Sequence, residues 1–164
     1  MNNYFEFTKP INIFFKTTNI IKWIYFTVII LIVSSFYIIF KELLSDFQQG
    51  ENYMILYIHV PSAWMAMIIY VFISITSAIY IINKNPIVHV FTTGGLFIGC
   101  MYTFITLITG ILWGKPMWGV YWVWDARLTS VFILFIIYLL NIFIYLINNR
   151  DNKNNMTSSV LILI

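Results

Sequence analysis

Four long apolar stretches, at about residues 20–40, 60–82, 90–112 and 128–147, constrain this chain more than any other feature. Each has the roughly 20 residues that a helix needs to cross the hydrocarbon core of a bilayer. Backbone N–H and C=O groups find no water in lipid, so each stretch must be helical. Only 9% of the residues are charged, against about 25% in soluble domains. We therefore predict an all-α, polytopic transmembrane helix bundle of four spans, forming a single membrane domain over residues 1–164.

The two ends of the chain carry separate expectations. The first apolar stretch is too long for a cleaved signal peptide and no small-residue cleavage site follows it, so it is expected to remain as a span. An Asn-rich segment at 148–159 precedes five apolar residues, VLILI, at 160–164. Five residues cannot cross a bilayer, so the sequence predicts a C-terminal stub that resembles the first turn of a fifth helix.

The distribution of basic residues predicts the orientation in the membrane. One side carries Lys9, Lys16, Lys22, Lys84, Arg150 and Lys153, and the other carries Lys41, Lys115 and Arg127. The side richer in Lys and Arg is normally cytoplasmic. We therefore expect a cytoplasmic N-terminus, with the loops at 41–59 and 113–127 on the external side. The net charge of only +3 gives no indication of a nucleic-acid partner.

Several kinds of chemistry are not indicated. The one cysteine, Cys100, lies in an apolar stretch and is expected to be a small packing residue. A C-x-x-C-H haem-attachment motif, a phosphate-binding loop and a Ser-His-Asp arrangement in the outer loops are all absent from the sequence. We therefore do not expect an enzyme. Gly94, Gly95 and Gly99 are predicted to be small packing positions between helices.

A tryptophan-rich run, WGKPMWGVYWVWDAR, occupies residues 113–127 between the third and fourth stretches. An aromatic belt at the membrane interface explains one or two Trp at the end of a span, not four in such a short run. The interleaved Gly and Pro predict a shaped turn rather than a continued helix. The run is therefore predicted to form a platform for a flat, apolar ligand, through the indoles of Trp113, Trp118, Trp122 and Trp124.

The charged residues of this run indicate which flat ligand the platform is expected to bind. Lys115 and Arg127 could pair with anionic groups, Arg127 bidentately, although plain solvation is the alternative. Haem combines a planar macrocycle with two propionates and an iron that takes axial ligands, so haem is the ligand we expect. Asp125, just before the fourth stretch, is expected mainly to cap that helix through its carboxylate.

The two histidines differ in their setting. His59 comes shortly before Pro61, which fits the first turn of a helix. That places His59 at the outer edge of the membrane, on the side of the Trp-rich run, where a neutral imidazole could ligate iron. A polar anchor at the interface is the alternative. His89 falls in the short segment 83–89 on the cytoplasmic side, and we interpret it as a loop residue.

The run at 113–129 resembles the tryptophan-rich "WWD" motif of haem-handling membrane proteins, and most closely that of the CcmC type in system I cytochrome c maturation. The stretch HVPSAW at 59–64 is similar to that family's first external histidine motif. The resemblance implies that haem b is held as cargo at the outer face, with His59 as one axial ligand. It also implies that the platform is lined by Trp113, Trp118, Trp122, Trp124 and Asp125.

The resemblance also implies partners and a location. Proteins of the CcmC type present haem to the haem chaperone CcmE, beside the ATP-binding cassette subunits CcmA and CcmB and the small helper CcmD. The expected location is the bacterial inner (cytoplasmic) membrane, with the WWD loop in the periplasm. The mitochondrial inner membrane is the alternative.

The family pattern has six spans and a second external histidine between the fifth and sixth, which lies beyond the end of this sequence. The expectation is therefore either a truncated chain or an iron whose other axial position is filled by a partner or an exogenous ligand. Three functional alternatives stay open beside the haem carrier. They are a haem lyase of the CcmF or CcsA type, a channel or structural subunit without a ligand, and an inactive remnant. The short chain favours the carrier over the longer lyases.

Overall fold

The computed structural model describes residues 10–42 and 46–150. All regular elements in these ranges are helices: α1 (Pro10–Glu42), a short 3-10 helix (Glu51–Ile55), α2 (Leu56–Asn83), α3 (Pro86–Trp118) and α4 (Ala126–Arg150). Segments long and apolar enough to cross a membrane occur at Ile20–Lys41, Glu51–Asn83, Pro86–Trp118 and Ala126–Asn148. The all-α architecture with four spans is thereby confirmed. The C-terminal stub expected at 160–164 lies outside the described residues.

The chain divides into two units, 1–50 and 51–164, and the single membrane domain expected from the sequence stays a prediction. The first unit contains α1 and a tight turn at residues 46–50. In this turn the carboxylate of Asp46 accepts hydrogen bonds from the backbone N–H groups of Gln48 and Gln49, at 2.9 and 2.8 Å. An Asp at the start of a turn commonly makes such local bonds.

In the second unit, α3 packs along α2 and against α4. Two glycines of α3 let its neighbours approach, because a Cβ at Gly95 would collide with Ile73 and one at Gly99 would collide with Tyr138. Ile73 and Tyr138 are each only 1% exposed. Small residues allow close helix contact in membranes, so the predicted packing role of these two glycines is confirmed.

Two other packing predictions for α3 have opposite outcomes. Cys100 is a free cysteine that packs against the buried cluster around Ile73 and Tyr138, as expected for a small packing residue. The expectation for Gly94 is wrong, since a Cβ there would meet no atom of the described residues within 4 Å. Gly94 and Gly95 are neighbours in sequence, and successive residues of a helix point in different directions.

The connection between α2 and α3 is shorter than the sequence indicated. Lys84 adopts a left-handed conformation (φ 49°) and its N–H bonds to the carbonyl of Tyr80, which ends α2. Asn85 then caps α3, accepting a hydrogen bond from Ile87 N at 2.9 Å, and Pro86 takes the first helical position. Pro lacks the N–H that would go unused there. The turn is therefore residues 84–85 rather than 83–89.

Both prolines expected to mark helix boundaries instead lie inside helices. α3 continues through Pro116 to Trp118, so the expected turn at 113–127 reduces to residues 119–125. Gly119 ends the helix because it adopts φ 77° and its N–H bonds to the carbonyl of Lys115 at 3.0 Å. Likewise, Pro61 is not in the first turn of α2, since that helix begins at Leu56. Membrane helices tolerate internal proline where neighbouring groups satisfy the freed carbonyl.

Candidate functional site

An apolar cavity of about 220 Å³ lies at the end of the second unit where α3 finishes and α4 begins. The three long helices of the second unit, α2, α3 and α4, all contribute to its walls. The side facing the connection between α3 and α4 is lined by His59 from α2, by Trp113 and Trp118 from α3, and by Arg127 from α4. The remaining wall consists of small or aliphatic groups such as Ala63, Ala66, Met67, Leu107, Val131 and Leu134. The cavity therefore combines an apolar wall with four side chains that can recognise a ligand: one imidazole, two indoles and one guanidinium.

His59 contacts α3 at two adjacent residues. Its Nδ1 lies 3.0 Å from the hydroxyl oxygen of Thr109. A Cβ added at Gly110 would lie 3.1 Å from the Cε1 of His59, which is closer than most real Cβ contacts. The absence of a side chain at position 110 therefore lets the imidazole lie against the backbone of α3, within reach of Thr109.

Trp113 and Trp118 form an edge-to-face pair with ring centroids 5.2 Å apart and planes at 82°. The indole of Trp118 folds back over Gly114, where a Cβ would lie 3.2 Å from Trp118 Cε3. Edge-to-face geometry is a favourable arrangement for aromatic pairs. Gly110 and Gly114 are one turn apart, so the same strip of α3 accommodates both the imidazole and the Trp118 indole.

The other two predicted tryptophans do not line this cavity. Trp122 and Trp124 form a second edge-to-face pair, at 5.3 Å and 72°, and Trp122 also packs edge-on against Phe132 at 5.7 Å. The Nε1 of Trp122 is buried and has no hydrogen-bond partner among the described residues. Trp124 is 77% exposed. The four indoles are therefore two separate pairs, and they do not form one continuous flat face.

Arg127 connects the cavity to the start of α4. Its guanidinium lies 3.2 Å from the carboxylate of Asp125 and 5.1 Å from the ring centre of Trp118. Asp125 also accepts a hydrogen bond from Leu128 N at 2.7 Å, so its predicted role as a helix cap is confirmed. Arg127 remains largely exposed, which leaves donors available for an anionic group.

Lys115 lies apart from the cavity. Its ammonium donates a hydrogen bond to the carbonyl of Gly119 at 3.0 Å and sits 5.0 Å from the ring centre of Tyr121. Lys115 therefore interacts with the chain that follows α3. Its expected pairing with an anionic ligand stays a prediction.

His89 is not a loop residue, which corrects that interpretation. It lies in the first turns of α3, with its ring 4.9 Å from that of Tyr80 and 6.1 Å from that of Tyr145. The turn before α3 is only two residues long, and this places position 89 on the helix. His89 and Trp113 are 24 residues apart on α3, about 36 Å at 1.5 Å per residue.

The structure thus brings together four of the eight site residues predicted from the sequence: His59, Trp113, Trp118 and Arg127. Asp125 joins them through Arg127. Sequence reasoning missed Thr109, Gly110 and Gly114. The G-x-x-x-G spacing of the two glycines, directly before the Trp-rich run, was the available signal. Within residues 10–42 and 46–150, no group of three or more His, Cys, Asp or Glu side chains could hold a metal ion.

The fold and the site define a class: a polytopic helical membrane protein with an indole-lined, apolar cavity at one end of its bundle. The family is now clear, because the family described as heme exporter protein C (CcmC) matches residues 3–164. The chain belongs to this family.

Similar proteins come from both bacteria and mitochondria. A cytochrome c biosynthesis ccmC-like mitochondrial protein of Marchantia polymorpha is 57% identical over 95 residues, covering 58% of this chain and 42% of that protein. The heme exporter protein C of Bradyrhizobium diazoefficiens is 39% identical over 136 residues, covering 82% and 51%. That of Escherichia coli is 43% identical over 95 residues, covering 58% and 39%. The chain spans about half the length of these relatives or less.

Proposed function

We propose that this chain binds haem at the outer face of the membrane and presents it to a haem chaperone during the biogenesis of c-type cytochromes. The observation that carries the proposal is the meeting of His59, Trp118 and Arg127 at one apolar cavity. These groups match the three parts of haem. An imidazole can ligate the iron, an indole can cover the macrocycle, and a guanidinium can pair with a propionate.

The size of the cavity indicates how haem would be held. At about 220 Å³ it is smaller than the roughly 300–1,000 Å³ of pockets that enclose drug-sized ligands, and haem is at least as large as those. The cavity would therefore accommodate one edge of the macrocycle, against Ala63, Met67 and Leu107. The rest of the ring would remain outside, beside Trp118. A partly covered haem suits a protein that passes its cargo on.

We propose a carrier role rather than catalysis. Presentation requires only that the bond between iron and His59 form and break, while the apolar wall and Trp118 orient the ring. Haem supplies the iron that accepts the imidazole lone pair when it is bound. We propose haem b as the cargo, CcmE as the acceptor, and CcmA, CcmB and CcmD as the accompanying subunits. The relatives' names refer to haem export and cytochrome c biosynthesis, which supports the haem-handling part of this proposal.

For the orientation we propose a cytoplasmic N-terminus and a periplasmic loop between α3 and α4, in a bacterial inner membrane or its mitochondrial counterpart. The six-to-three distribution of Lys and Arg supports this orientation. It places the cavity mouth, Arg127 and the Trp-rich loop on the side where c-type cytochromes are assembled.

The test is the visible absorption spectrum of the chain, purified in mild detergent from haem-replete cells, with two pairs of matched variants. We expect a Soret band that is lost or shifted in His59→Ala and unchanged in His89→Ala, because only His59 lines the cavity. We expect lower haem retention in Trp118→Ala and normal retention in Trp64→Ala, since Trp64 is a 60% exposed indole outside the cavity wall.

Two results would contradict the proposal. One is the absence of any Soret band from well-inserted chain with the original sequence. The other is equal haem occupancy in both members of each pair, which would mean that haem associates with the chain elsewhere.

A further inference from the structure

The hydroxyl of Thr109 already donates its single hydrogen to the backbone of α3. Thr109 Oγ1 lies 2.7 Å from the carbonyl oxygen of Ile105, one turn earlier on α3, and 3.2 Å from that of Thr106. A carbonyl oxygen can only accept, so the hydroxyl donates to this pair. Its oxygen retains lone pairs, and the nearest donor for them is the imidazole of His59 at 3.0 Å.

We infer that Thr109 is a positioning residue that fixes the tautomer and the ring orientation of His59. Nδ1 carries the proton and donates it to Thr109, so the lone pair is on Nε2. In a neutral imidazole one nitrogen is a donor and the other an acceptor, and the hydrogen bond of one nitrogen decides which atom is left for a metal. This inference rests on the proposed function, since it names the atom of His59 that would meet the iron.

Gly110 supplies the second half of this arrangement. A Cβ at position 110 would lie 3.1 Å from His59 Cε1 and 3.6 Å from Nδ1. The imidazole is therefore held on one side by the backbone of α3, where the Thr106 carbonyl also accepts a hydrogen bond from it, and at Nδ1 by the Thr109 hydroxyl. Thr109 and Gly110, which are adjacent on α3, together define the position and the orientation of the His59 imidazole.

The expected consequence is a stronger, better-aligned iron ligand. A hydrogen bond from the ring nitrogen that does not bind the metal raises the basicity of a ligating imidazole and orients it. Removal of the hydrogen-bond partner typically weakens metal binding about 10- to 100-fold. A neutral hydroxyl accepts less strongly than a carboxylate, so we expect the lower end of this range, about tenfold, for Thr109→Val. A less basic imidazole stabilises ferric iron less, so the reduction potential of bound haem should rise.

The first experiment needs no haem. The sequence has two histidines, so ¹⁵N-histidine labelling gives two imidazole spin systems in nuclear magnetic resonance spectra, and the variant His89→Gln assigns them. We expect His59 to be protonated at Nδ1 in the original chain and in Thr109→Ser, which keeps the hydroxyl. In Thr109→Val, which replaces the hydroxyl with a methyl group, we expect the Nε2-protonated tautomer that the histidine side chain prefers in water.

The second experiment uses haem-loaded chain. Haem affinity about tenfold lower and a higher reduction potential in Thr109→Val, both restored in Thr109→Ser, would support the inference. A tautomer that is the same in all three proteins would overturn it, whatever their haem content. So would equal losses in the Val and Ser variants, because the hydroxyl would not then be responsible. If His59 is Nδ1-protonated as expected but no variant or parent chain binds haem, the proposed function fails while the tautomer assignment stands.

Discussion

Replacing Gly99 with alanine tests how closely α3 and α4 pack. A Cβ at position 99 would lie 2.5 Å from Tyr138 Cζ and 2.6 Å from Cε1. Tyr138 is only 1% exposed and packs edge-on against Tyr70 at 6.2 Å, so its ring has little room to move. Overpacking of this kind costs about 1–3 kcal/mol. Alanine favours a helix over glycine by about 1 kcal/mol, which offsets part of that cost.

A second contribution comes from the hydrogen bond that Tyr138 makes. Its hydroxyl donates to the backbone carbonyl of Ala66 on α2 at 3.4 Å, a long bond that any shift of the ring would break. Hydrogen bonds between membrane helices contribute about 0.6 kcal/mol on average. The three terms together predict that Gly99→Ala lowers the free energy of unfolding by about 0.6–2.6 kcal/mol.

Gly94→Ala is the matched control, because it lies on the same helix and a Cβ there meets nothing within 4 Å. Only helix propensity changes, so this variant should be as stable as the original chain or up to about 1 kcal/mol more stable. Unfolding in mixed micelles of increasing dodecyl sulfate content, followed by circular dichroism, measures both. Equal stability of the two variants would refute the close-packing argument at Gly99.

Two further predictions concern the start of α4 and the orientation of the chain in the membrane. Asp125→Ala should lower the free energy of unfolding by about 1 kcal/mol in the same assay, because the helix cap is lost. Asp125→Asn keeps an accepting oxygen for Leu128 N and should lose much less stability. Equal losses in the two variants would assign the effect to the ion pair with Arg127 instead. In a Cys100→Ala background, an impermeant maleimide should label Val120→Cys from outside intact cells and label Lys84→Cys only after permeabilisation, and the reverse pattern would invert the proposed topology.

The sequence predicted the spans well because the physics of each span is local. An apolar run of sufficient length in lipid has no stable alternative to a helix. The ends of the helices were predicted less well, since a single residue decides where each one stops. The third span was expected to end at about residue 112, before a turn shaped by Gly114, Pro116 and Gly119. The helix instead continues to Trp118 and ends at Gly119, whose left-handed conformation redirects the chain.

The site was predicted in part for a different reason. His59 and the Trp-rich run fall on the same side of the membrane in any four-span topology, so their location at one membrane face followed from counting spans. The contact between His59 and Thr109 depends on the register of α2 against α3, and the close fit of Ile73 against Gly95 is one of the contacts that belong to that register. Hydrophobic periodicity does not encode such a fit.

The same face of α3 serves both the packing and the candidate site. Its buried positions run from Thr92 through Gly95 and Gly99 to Gly110 and Gly114. Ile73 packs against Gly95 and Tyr138 packs against Gly99. At the other end of the series, His59 lies against Gly110 and Trp118 against Gly114. Because a helix is stiff along its axis, a shift of α3 that relieves the clash between an alanine at position 99 and Tyr138 also moves Gly110 relative to His59. The geometry of the imidazole therefore depends on contacts in the middle of the bundle as well as on its immediate neighbours.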